Sequence, residues 1–374
     1  MLKAQFSRGK KIAFTVVMFL YINLVLTIFW ILKPLKKTLF FKQYDGDNPF
    51  KIGPLEMLAS SAELLAKGAN MFIAFLLVVF LTMITRYVKR QALTLTCMGL
   101  IVIMTIFFAI RINNPSESVI WSFYWFGDIY ISLMLAAFFS FLHDTIDLKN
   151  AKSLYGFIVL GAVSGGAVGS TYFMIDEMTY QQWLHVVIGI GLTICFLATC
   201  AGWIAKSIPH HETDSEKSET PKKKFNAAIE GASLVLKSRY LLAIAGIVGF
   251  YEITSEVLDF QFSAITERFV EENKLKSHFS TVYAIGNIAA LIIQLGFSIF
   301  AAKFPTYRIH WILIILPFSI TLGSIFFILA PVLIAGSFLK IADSTFAYSV
   351  NQTGRETLYN PLSRQKKIHC SRLY

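Results

Sequence analysis

Apolar runs of roughly 20 residues alternate with polar breaks along most of this chain. At a rise of about 1.5 Å per residue, a helix of that length crosses a hydrocarbon core of about 30 Å. The pattern predicts ten spans, at about 12–32, 62–87, 92–110, 121–142, 153–174, 183–204, 240–265, 281–302, 309–330 and 332–350. Pro34 is expected to kink or end the first, because proline lacks an amide hydrogen and crowds the preceding turn. Turn formers at 45–53 mark a loop, and Pro331 leaves only a tight turn between the last two spans. The longest polar stretch, 206–224, is rich in charge, Ser, Thr and Pro and reads as a flexible loop. The chain therefore divides into an N-terminal six-helix bundle (1–205), a basic cytoplasmic linker (206–238) and a C-terminal partial bundle of four helices with a polar tail (239–374). The expected class is an all-α polytopic membrane protein.

Composition agrees. Only 15% of the 374 residues are charged, against about 25% in soluble domains, and mean hydropathy is +0.60. The net charge of +11 marks cytoplasmic loops rather than a nucleic acid polymer as partner. Bases cluster before span one and after spans two, four, six, eight and ten, while the loop after span five has two acids and no base. That bias places both termini in the cytoplasm of a multi-pass cell (inner) membrane protein, with the lipid bilayer as partner. The first apolar run is too long for a cleavable signal peptide and lacks a cleavage site. Four cysteines without a CxxC pair point to neither zinc nor a disulfide framework, and no cofactor motif is present. Lys33, Lys36 and Lys37 break the bias, since they fall on the outer side. A water-filled cavity holding an anion would account for them.

The charges inside the spans carry the functional signal. Asp128 lies within an aromatic-rich span, where a carboxylate costs several kcal/mol unless it faces a partner or water. Glu252, Glu256 and Asp259 are spaced i, i+4 and i+7, an arc of about 60° on one helix face. Such a stripe faces a cavity or basic partners rather than lipid. Arg355 and Glu356 lie just past span ten, where a solvated helix end is the plain reading. Lys33, Lys36 and Arg355 suit a phosphate-bearing anion, with Asp128 and Asp259 exchanging salt bridges with them as the cavity opens and closes. GAVSGGAVGS in span five is not a phosphate loop; small residues at four-residue spacing permit close helix contact. His210 and His211 have no second ligand pair, so no metal site is expected, and no nucleophile meets a base at useful spacing.

Six spans, a basic loop and further spans resemble the plan of major facilitator transporters, short of two spans at the C-terminus. A ten-helix protein complete as it stands is the alternative. Several stretches are similar, in order and spacing, to the ATP/ADP translocases, the nucleotide transporters of obligate intracellular bacteria and plastids. These are LKPLKK, YWFGDIYISLMLAAFF, NAKSLYGFIVLGAVSGG, SRYLLAIAGIVGFYEITSEVLDF and GRETLYNPLSRQKK. The resemblance implies exchange of ATP for ADP by alternating access, and functional roles for Lys36, Asp128, Asp259 and Arg355. The departures are specific. Both acids are Asp where the family has Glu, Arg355 stands where Lys is usual, and Ser263 replaces a Lys four residues after the seventh-span acid. Glu252 and Glu256 are additional charges, and the end at IHCSRLY suggests a truncated or frameshifted reading frame. The alternatives are a proton-coupled importer of other nucleotides or anionic metabolites, and a truncated, transport-inactive homologue. A membrane enzyme finds no support in the residues.

Overall fold

The computed structural model describes residues 8–44, 48–84, 90–145, 148–206, 238–303 and 309–351. The linker residues 207–237 and the tail carrying Arg355 and Glu356 lie outside the described residues. Among the described residues there are ten α-helices, as the hydropathy pattern predicts. The first six are α1 (Arg8–Gln43), α2 (Ala59–Ile84), α3 (Arg90–Arg111), α4 (Glu117–Thr145), α5 (Leu148–Ile175) and α6 (Tyr180–Lys206). Then follow α7 (Arg239–Phe269), α8 (Leu275–Lys303), α9 (Ile309–Leu329) and α10 (Leu333–Phe346), which widens into a π-helical turn at Ala347–Asn351. Six of them, α1, α3, α4, α6, α7 and α8, are individually long and apolar enough to cross a membrane; α5 and α9 carry shorter apolar segments, Leu160–Ile175 and Ile314–Leu329. The described residues form an all-α bundle of membrane-length and shorter apolar helices.

Two local expectations change. Pro34 does not end the first helix: α1 runs through it to Gln43, 36 residues in all. Proline deletes one amide bond to the preceding turn, but dense packing on every side of this segment holds the helix together. Lys33, Lys36 and Lys37 are therefore inside a helix within the bundle, not at its end. That removes their conflict with the charge bias, which concerns loops. The expected loop at 45–53 contains half of a short antiparallel hairpin, β1 (Phe50–Ile52) and β2 (Leu55–Met57). Its turn begins at Gly53, whose φ of 59° favours glycine. Phe50 packs on Tyr44 and Trp121 at ring distances of 5.1 Å, which pins the hairpin to α4. Tyr44 donates to Glu117 Oε1 at 2.6 Å. Burial first, then Glu117, hold its phenol well above the ordinary range.

Helix α1 is the axis of the first half and packs against α4, α5 and α6. Its closest neighbour is α5, through the small-residue stripe. A side chain at Gly161, Gly165 or Gly169 would meet the α1 backbone at Phe19, Asn23 or Thr27, again at four-residue spacing. Thr27 Oγ1 donates to the Gly165 carbonyl at 3.2 Å and Asn23 Nδ2 to the Gly161 carbonyl at 3.2 Å, so polar groups are matched where the backbones touch. The two halves meet through α1–α8, α5–α8 and α2–α7. Ser238 caps α7, its side chain accepting from the Leu241 amide.

Candidate functional site

One turn of α1 aims three lysines in three directions. Lys33 Nζ sits among the rings of Trp30 (4.8 Å), Tyr283 (5.2 Å) and Phe29 (5.7 Å). Among the described residues it has no carboxylate at ion-pair distance. Lys36 pairs with Asp128 of α4 and lies 4.2 Å over the Tyr124 ring. Gly127 makes room for it, since a Cβ there would meet the Lys36 stem. Lys37 pairs with Asp259 of α7 at 3.1 Å and Glu63 of α2 at 3.3 Å.

The partners come from four other helices. On α2, Lys67 contacts Asp259 and reaches Glu256 at 3.1 Å. Glu63 accepts from Tyr124 Oη at 2.9 Å and from Ser263 Oγ at 2.6 Å. On α10, Lys340 lies 2.9 Å from Asp259 Oδ1 and 3.3 Å from Asp343 Oδ2. Asp343 also accepts from Tyr251 Oη at 3.2 Å and Ser255 Oγ at 3.1 Å. These groups surround a cavity of about 460 Å³ among α1, α2, α4, α7 and α10. Among the described residues its wall holds five lysines (33, 36, 37, 67 and 340), six carboxylates (63, 128, 252, 256, 259 and 343) and the rings of Phe29, Tyr124, Tyr251, Tyr283 and Tyr348. Pairing of most of these charges offsets the cost of burying them.

Six residues singled out from the sequence, Lys33, Lys36, Asp128, Glu252, Glu256 and Asp259, all line this cavity. The acidic stripe faces it, though unevenly: Asp259 is buried while Glu252 and Glu256 are exposed. Arg355 lies outside the described residues. Of the bases expected to exchange salt bridges with Asp128 and Asp259, Lys36 meets Asp128, while Asp259 meets Lys37, Lys67 and Lys340, none of which was expected there. Sequence reasoning missed Lys340 and Asp343, whose signal was two charges three residues apart in an apolar run. It also gave Glu63 and Lys67 no part in a site, and named Lys37 without a partner. Ser263, where the resembled family carries Lys, donates to Glu63 instead.

No family model matches the chain, and no curated protein matches it. Among solved structures it is similar to a bacterial homologue of the human lysosomal transporter Spinster, in an inward-facing and unoccupied conformation. Identity is 15%, the TM-score is 0.51, and the match covers 94% of this chain and 76% of that one. A D-xylose–proton symporter is also similar, at 11% identity and a TM-score of 0.49, covering 89% of this chain and 81% of that one. The first likeness, at that identity, is one of fold.

Proposed function

We propose that this protein is a membrane transporter for an anionic solute of the nucleotide class, exchanging ATP for ADP by alternating access. One observation carries the reading: a charged cavity among α1, α2, α4, α7 and α10, containing a lysine, Lys33, held by rings and, among the described residues, by no carboxylate at ion-pair distance. Lys33 is then available to an incoming anion, and Lys36 and Asp128 line the same cavity. Tyr251, Tyr283 and Tyr348 supply flat faces for a planar base. The volume lies within the range of small-molecule sites, about 300–1,000 Å³. The bundle positions and releases its cargo, and no chemistry on the solute is required. The fold likeness to a transporter supports the same mechanism class.

A second reading has its own support. The cavity wall holds six carboxylates against five lysines, so a multiply charged anion entering with protons would be better balanced than one entering alone. Uptake of labelled ATP by intact bacterial cells expressing the chain separates the two. Exchange predicts uptake stimulated by internal ADP, insensitive to a proton ionophore, and lost in Asp259→Asn at matched membrane level. Ionophore-sensitive uptake without ADP stimulation would favour proton coupling. No uptake of either kind by well-folded protein would sink ATP/ADP exchange.

A further inference from the structure

Three of the five cavity lysines converge on one carboxylate. Lys37 of α1 lies 3.1 Å from Asp259 Oδ2, Lys340 of α10 lies 2.9 Å from Oδ1, and Lys67 of α2 touches Oδ2. Lys37, Lys340 and Asp259 are 2%, 4% and 8% exposed, so water does little to screen them. Three ammonium groups exceed what one negative charge and two oxygens can satisfy. Glu63, Glu256 and Asp343 balance the remainder from the flanks: Glu63 lies 3.3 Å from Lys37 and 3.9 Å from Lys67, Glu256 lies 3.1 Å from Lys67, and Asp343 lies 3.3 Å from Lys340. Lysines from three separate helices aimed at one point match a tetrahedral oxyanion, which offers a third oxygen and a second charge.

Taking the cavity as the translocation site, as proposed above, we infer that Lys37, Lys67 and Lys340 form a cradle for the phosphoryl end of the transported solute. Asp259 occupies that cradle between transport cycles as a tethered surrogate. The cradle joins α1 and α2 of the first half to α10 of the second, and the surrogate is carried by α7. Solute and Asp259 compete for the same lysines. Binding therefore changes which charges hold the halves together, which is the differential contact that a shift between conformations needs.

The test is thermal unfolding of the full chain in detergent, with chloride or inorganic phosphate at equal ionic strength. D259N vacates the cradle. It is expected to unfold below the native chain in chloride and to regain several degrees in phosphate, a gain larger than the native chain shows. The double variant D259N/K340M is expected to lose that gain. An equal response of native and D259N chains, or a gain that survives the loss of Lys340, would overturn the cradle. If D259N does not accumulate, Lys340→Met in the otherwise native chain carries the test. Its apparent Kd for phosphate, read by tryptophan fluorescence, should rise about tenfold, against no change for Lys274→Met at an exposed site. An unchanged Kd in K340M overturns the proposal. Phosphate rescue without ATP or ADP exchange would keep the cradle and remove the nucleotide reading; exchange without phosphate rescue would do the reverse.

Discussion

Lys36 and Asp128 form an ion pair across α1 and α4, with side-chain exposures of 6% and 24%. Such a pair contributes little net stability, because desolvation offsets attraction, but removing one partner strands the other. Asp128→Asn is therefore expected to destabilise the chain by about 3 kcal/mol. The double change Lys36→Met with Asp128→Leu should recover most of that, since two apolar groups leave no buried charge. Unfolding of detergent-solubilised protein by denaturant reads both. Neither variant should transport, which separates the pair's role in the site from its role in the fold. A double variant as unstable as the single one would mean that the pair holds the helices in place.

At the scale of elements, α2 and α7 meet along a polar seam with three rungs. The Ala59 and Ser60 amides at the start of α2 donate to Glu267 at 2.7 and 3.0 Å, so a carboxylate from the second half caps a helix of the first. Ser263 Oγ donates to Glu63 one turn deeper, and Lys67 reaches Glu256 and Asp259 one turn beyond that. The rungs repeat every four residues or so on both helices, the spacing that keeps side chains on one face. This seam has to part if the cavity is to open toward that end of the bundle. Glu267→Ala removes the outermost rung. In a chain whose native cysteines have been replaced, the variant is expected to speed labelling of Ser60→Cys by an impermeant thiol reagent several-fold. Ser60 is 3% exposed when the seam is closed. An unchanged rate would mean that the deeper rungs alone keep the seam shut.

At the scale of the whole molecule, the orientation follows from the distribution of bases rather than from any contact. The hairpin turn at Gly53 should face outward and the basic linker 206–238 inward. Reporter enzymes active only outside the cytoplasm, fused at each place, check this. Activity at Gly53 and none in the linker is expected, and the reverse would invert the assignment. The same orientation puts the α2–α7 seam toward the outer face, so the impermeant reagent in the previous test reaches it from outside.

The ten helices, the membrane class and six lining residues of the cavity were legible along the chain, because length, hydropathy and helical spacing are local properties. The i, i+4, i+7 acids already implied a common face. Pro34 does not end α1 because, although its local cost is real, the packing that offsets it comes from distant helices. Glu63, Lys67, Lys340 and Asp343 were given no role from the sequence. What those charges do depends on their partners, and the partners are far away in sequence: Lys37 and Asp259 are 222 residues apart. Residue type and periodicity determined that buried charges needed a cavity or each other. Only the packing of α1, α2, α4, α7 and α10 decided which charge met which, because the energy of a buried ion depends on its neighbours within a few ångströms.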